Sequence, residues 1–188
     1  MDCKDGSMTD GSGTEEDNVS DRVAVVLDVR NIVCGQSQEY SNTAMDFGKL
    51  LQDVLEGRRC VLSVAVDGVF YDERGRDASR LFHDELRRSG FRVDLVEATN
   101  GCGKQEGADV EIALTAYDYA GRCDVVELIT GDGDFSVLVR RLQQRGVSVN
   151  VTSLYGSLSD RLGRSADRVR IMDRMPLVRM GAETPGAE

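Results

Sequence analysis

The chain has 188 residues, 40% of them apolar and 30% charged, and a formal net charge of −10; at this size one domain buries an adequate core without disulfides. No apolar run approaches the roughly 20 residues of a membrane span, and the first residues are too polar for a signal peptide. The five cysteines are scattered, with no C-x-x-C pair, which argues against a zinc or redox motif and suits a reducing, cytoplasmic setting.

Residues 1–21 are rich in Gly, Ser, Asp and Glu, with seven acids against Lys4. Such a segment cannot bury enough surface to offset the entropy of ordering, so a disordered acidic tail is expected there. From Arg22 the pattern changes to short β-branched runs at 23–29, 60–66, 91–96, 125–130 and 147–152. Each is nearly continuous in apolar residues, as strands covered on both faces are. Between them, residues 43–56, 77–89, 108–120 and 135–145 carry apolar side chains at helical spacing, and Gly57, Gly90, Gly121 and Gly146 follow as helix-ending glycines. A weak helix near 158–162 and a sixth strand at 169–172 complete a domain over 22–175, with a flexible tail over 176–188. Strands alternating with helices predict an α/β fold, a three-layer αβα sandwich around a mostly parallel sheet of five or six strands. The single histidine, His83, falls in a charged helical stretch and reads as a solvated surface residue.

In such a sheet a ligand site forms outside the carboxyl ends of the strands, where strand order reverses. The first strand ends at Asp28, with Asn31 three residues on, and the fourth runs into Thr130-Gly131-Asp132-Gly133-Asp134-Phe135. Asp109 opens the third helix on the same edge, one turn before Ile112 and Ala113, so its carboxylate should point toward the top of the core. Four carboxylates would then converge. Close carboxylates repel and raise one another's pKa unless a hard cation joins them, and an oxygen-only donor set selects Mg²⁺ or Mn²⁺ over zinc. Such a site serves phosphoryl transfer to water. Simpler roles fit the same residues singly: Asp134 as a helix cap, Asp132 as a turn residue, Asp109 as a favourable charge at a helix start.

Three motifs in order make the chain resemble an NYN domain of the PIN-like nuclease superfamily, from about Val23 to Leu154. They are Asp28-Val29-Arg30-Asn31 after an apolar strand, Lys104 shortly before Asp109, and Thr130-Gly131-Asp132-Gly133-Asp134-Phe135 after a second strand. The resemblance implies a PIN-like, Rossmannoid sheet and a metal-dependent ribonuclease, an endoribonuclease by expectation. Asp28, Asp109, Asp132 and Asp134 would bind one or two divalent ions, Asn31 would orient a carboxylate or the scissile phosphate, and Thr130 would hydrogen-bond near the metal. Lys104 would contact backbone phosphate. Thr115 stands where many relatives carry a further acid.

The partner expected on these grounds is RNA, single-stranded or structured, with no membrane; a homodimer stays open. Arginines outnumber lysines twenty to three, and the segment 140–174 has a local balance of +5. Arg140, Arg141 and Arg145 lie on or just after the helix that follows the acidic loop and could guide a backbone. No aromatic stacking platform is evident. The rival from another class is a catalytically weak domain that binds RNA or protein as a regulator. A phosphatase with its nucleophile at Asp28 would want an acid two residues later, where Arg30 stands.

Overall fold

A computed structural model describes residues 21–39, 43–69, 79–97, 107–172 and 177–179. Its centre is a six-stranded sheet of β1 (Arg22–Asp28), β3 (Arg59–Val69), β4 (Arg92–Glu97), β5 (Val125–Ile129), β6 (Ser148–Ser153) and β7 (Arg168–Ile171). The strands run in the order β4-β3-β1-β5-β6-β7, and every neighbouring pair is parallel. The chain first builds outward from β1 to β3 and β4, then returns past β1 to lay down β5, β6 and β7. Strand order therefore reverses between β1 and β5, where Leu27 pairs with Ile129, and a crevice opens at their carboxyl ends.

Alternation of side chains across the sheet divides the core in two. Ala24 and Val26 pack with Val64, Val126 and Leu128 against α4 (Ala108–Tyr119) and α5 (Ser136–Gln143), through Ile112, Ala116, Leu138 and Leu142. Val23, Val25 and Leu27 face the other way, onto Ile32 of α1 (Val29–Glu39), Leu50 and Val54 of α2 (Phe47–Leu55) and Leu86 of α3 (Arg80–Arg88). With helices on both sides, the predicted three-layer αβα architecture is the observed one. By the same alternation Asp28, the residue after Leu27, falls on the α4 side. Among the described residues no helix is long and apolar enough to cross a membrane.

Several elements differ from the sequence reading. The helix expected from residue 43 begins at Phe47, because the Asp46 carboxylate accepts the Lys49 N–H at 2.9 Å and caps it there. Thr43–Met45 instead forms β2, antiparallel to β8 (Leu177–Arg179), three residues within the stretch expected as a tail. Helix α1 was not expected; its signal is weak because Gly35 interrupts it. A Cβ on Gly35 would lie 2.2 Å from Ser157 Oγ and 3.1 Å from Leu154 Cδ1, so close packing accounts for the glycine. Of the four helix-ending glycines, Gly57, Gly90 and Gly146 take positive φ, whereas Gly121 does not and α4 runs into Ala120 in helical geometry. Helix α6 (Asp160–Ser165) and β7 match the weak helix and sixth strand. Most of the acidic N-terminal stretch and Lys104 lie outside the described residues.

His83 is the clearest correction. It is 1% exposed rather than solvated, and its Nε2 lies 3.0 Å from Asp67 Oδ2, a second buried polar group at the end of β3. The charged residues around it face outward from a short helix, which hid the one polar side chain that faces in. A surface histidine changes stability by less than about 0.5 kcal/mol when removed. His83→Ala is expected to cost on the order of 2–4 kcal/mol, through the cavity and the lost hydrogen bond to a buried carboxylate, as read from the urea unfolding midpoint.

Candidate active site

The site is laced together from two strand ends about a hundred positions apart in sequence. Asp28 closes β1 and is 7% exposed. Its Oδ1 accepts the backbone N–H of Asn31 at 3.1 Å, in the manner of a helix cap, and so starts α1. Its Oδ2 accepts the hydroxyl of Thr130, just past β5, at 2.9 Å. Thr130 Oγ1 in turn accepts the Asp132 N–H at 3.2 Å. The Asn31 side chain reaches across the crevice, where its Oδ1 accepts the Gly131 N–H at 2.7 Å. In this arrangement Asn31 and Thr130 act on the loop that carries Asp132 and Asp134.

Asp132 caps the 3-10 turn Gly133–Phe135, its Oδ1 accepting the Asp134 N–H at 2.8 Å. Asp134 is therefore not the cap of α5; its exposed carboxylate turns to Arg161 of α6, whose Nη2 donates to Oδ1 at 2.6 Å while Nε donates to the Gly133 carbonyl at 2.9 Å. The apolar face of α4 lies where its spacing placed it, with Ile112 and Ala116 buried. Asp109 stands one turn before Ile112 and two before Ala116, in the first turn of the helix, and is exposed rather than turned into the core. Thr115 is buried on the same helix and donates its hydroxyl to Glu111 Oε1 at 3.3 Å.

The four aspartates share one edge of the sheet and act on one another. Burial pushes the Asp28 carboxyl up to about 6; the Asn31 and Thr130 donors pull it down, and the charges of Asp109 and Asp132 push it up again. Asp109 is raised by burial and then by Asp132 and Asp134. Yet among the described residues no three side chains of His, Cys, Asp or Glu close on one point as a metal cage. Both Asp28 oxygens, one oxygen of Asp132 and one of Asp134 accept hydrogen bonds from protein donors.

The loop is held from outside by a second contact. A Cβ on Gly131 would lie 2.0 Å from the Ser157 carbonyl oxygen and 2.5 Å from its carbon, and Ser159 N–H donates to the Gly131 carbonyl at 2.9 Å. The turn after β6 is thus pressed onto the acidic loop.

Arg140, Arg141 and Arg145 lie on or just beyond the exposed side of α5. Arg141 lines a groove of about 490 Å³ between α4 and α5, together with Asp109 and Asp134. The Arg145 guanidinium sits 4.1 Å over the Tyr117 ring. Sequence reasoning missed Arg161 and Tyr117. Arg161 was visible only as one member of a basic segment, and Tyr117 only as one position of an amphipathic helix.

A family model described as NYN domain matches residues 22–173. Among solved structures, the crystal structure of a protein of unknown function from Vibrio parahaemolyticus is similar, with 29% sequence identity and a TM-score of 0.71. The match covers 84% of this chain and 96% of that one. No curated protein matches.

Two outcomes are expected from this geometry. Gly131→Ala meets backbone rather than a mobile side-chain tip, so it should lower the melting temperature and, by displacing the loop, weaken any function of Asp132. For Asp28, whose folded pKa of about 6 exceeds its ordinary 3.8, the proton is held more tightly in the fold. The associated stability is present in full below about 3.8 and lost as pH rises through about 6. Asp28→Asn should therefore stabilise the metal-free protein at neutral pH, by roughly 3 kcal/mol at most. Melting curves in EDTA should show that gain shrinking as the pH falls through about 6.

Proposed function

The chain belongs to the NYN domain family, whose fold is of the nuclease type and whose members are generally nucleases, and from that premise we propose that it is a metal-dependent ribonuclease hydrolysing RNA phosphodiesters, internally rather than from an end. The domain we assign spans 22–175. The observation that carries this reading is the lacing of Asp28, through Thr130 and Asn31, to the loop bearing Asp132 and Asp134. Hydrogen bonds spent on orienting buried or half-buried acids at a strand-order reversal do little for an ordinary loop and much for a reaction centre.

NYN and PIN-like nucleases typically use divalent metals. The donor set here fits one, since it is all oxygen and negative, and the charges acting on Asp28 are of its own sign. Mg²⁺ or Mn²⁺ suits a set of carboxylate oxygens, the remaining positions being left to water and substrate phosphate. Asp28, Asp109 and Asp132 would hold such an ion, with Asp134 joining on release from Arg161. The chemistry a bound ion supplies is acidification of water and neutralisation of charge on the phosphodiester. Thr130 keeps the Asp28 carboxylate turned toward the crevice, and Asn31 keeps the loop in place. Arg140, Arg141 and Arg145 offer positive charge to the RNA backbone on the side of α5, as Lys104 would from the segment before α4.

One observation favours a second reading. Arg161 occupies the Asp134 carboxylate, which suits a domain that keeps the fold and binds RNA or a protein as a regulator without turnover.

Cleavage of internally and end-labelled RNA of mixed sequence, with and without Mn²⁺, separates the two. The wild-type chain should cut only with metal, and Asp132→Asn should lose at least about a hundredfold in rate, since even residues that only support metal ligands cost 10–100-fold. Metal-independent cutting, or an unchanged rate in the variant, would reject the site. Metal binding with no cutting at all would select the regulator.

A further inference from the structure

The groove between α4 and α5 is not accounted for by hydrolysis. Val110, Leu114 and Val137 line it and are 59%, 55% and 55% exposed. Single exposed aliphatic residues are ordinary, but a contiguous set lining one cleft marks a place where something binds. Tyr117 extends the same wall, and Arg141 supplies a positive charge. The groove shares Asp109 and Asp134 with the acidic edge, so it runs along α4 away from the reaction centre for about two turns. Its volume of about 490 Å³ is that of a small-molecule site rather than a shallow depression.

The chemistry wanted by these walls is an apolar, flat body joined to an anion. A nucleotide has that character: its base would lie against the aliphatic walls, and its phosphate would meet a guanidinium. Unpaired bases are recognised by stacking on aromatic rings, and Tyr117 lines the groove, with the Arg145 guanidinium covering one face of its ring at 4.1 Å and the other left for a base. A protein seated in the groove would also cover Asp109 and Asp134 and so close the acidic edge to substrate.

We propose that this groove is a subsite for an unpaired nucleobase of the RNA next to the cleaved phosphodiester, with Tyr117 and the aliphatic walls taking the base and Arg141 the adjoining phosphate. The inference rests on the RNA reading above and adds to it a requirement for local single-strandedness. A base held in a duplex cannot enter the groove.

The test measures binding of a short fluorescent single-stranded RNA to the full chain carrying Asp132→Asn, with Mn²⁺ present. The comparison ligands are the same sugar-phosphate chain without bases and the same RNA annealed to its complement. Leu114→Ser and Tyr117→Ala should each weaken the single-stranded RNA about tenfold, leave the abasic chain nearly unchanged and leave the weaker duplex binding as it was. Arg141→Ala should weaken all three. Val137→Ser, equally exposed, serves as a second aliphatic variant, and thermal melting verifies that each variant folds. Unchanged affinity for single-stranded RNA in the groove variants would overturn the subsite while leaving the RNA reading intact. Equal losses on RNA and the abasic chain would also overturn it, since the groove would then act only on the backbone. No binding of any ligand by the parent chain would overturn the RNA reading and the subsite together. Sedimentation showing a dimer that Leu114→Ser dissociates would assign the groove to a second copy of the chain, and the nucleobase subsite would fall.

Discussion

The hydrogen bond from Thr130 to Asp28 holds together the carboxyl-end edge of the sheet. It joins the last residue of β1 to the first residue beyond β5, the two strands between which sheet order reverses. Around it the geometry follows in sequence. Asp28 also starts α1, so the direction of that helix and the position of Asn31 are set by the same carboxylate. Asn31 then holds Gly131, at the start of the loop that leads into the 3-10 turn and α5. Removing one of these bonds would alter several positions at once, because each acceptor serves a donor on another element.

Holding acids in this way has a cost, and the fold offsets it locally. Asp28 is buried among like charges, yet two donors point at it. Asp132 uses one oxygen on its own turn, and Asp134 is paired with Arg161. The result is a carboxylate edge that is tolerable without a cation yet short of a closed cage. A different arrangement governs Glu127, more buried than Asp28 and at the middle of β5: Arg58 and Asn150 both donate to its Oε1, so its charge is matched within the fold. Burial alone does not distinguish these two acids. What distinguishes them is whether the neighbouring charges have the same or the opposite sign.

Much of this was legible in the sequence, for physical reasons that can be named. The strands under two layers of helices were plain, because double coverage demands unbroken apolar runs. That Asp28, Asn31, Thr130, Asp132 and Asp134 lie together was legible because they sit at strand ends on one edge of the sheet, where a turn must follow. What escaped depended on distant contacts. The apolar periodicity of α1 is broken by Gly35, whose reason is a turn more than a hundred residues away. His83 was hidden because its partner, Asp67, sits on a strand that reads as core. Arg161 reaches back from α6 to the acidic loop, and no local pattern marks it. The short pair β2 and β8 has three residues on each side, too few to show a period.

The separation of Asp28 from Thr130 along the chain has a further consequence, for the time at which the site comes into being. Strands β1, β3 and β4 can pair as soon as they are made, since each connects to the next on one side of β1. The Thr130 hydroxyl that donates to Asp28 and the loop that carries Asp132 come just after β5, beyond a long intervening segment whose closure entropy must first be overcome. Synthesis delivers the chain from its N-terminus at only some 5–20 residues per second. A nascent chain still on the ribosome, close to the messenger it is copied from, therefore has Asp28 with its local Asn31 donor but without Thr130 until most of the sequence has emerged. The topology that brings the acids together also delays their assembly.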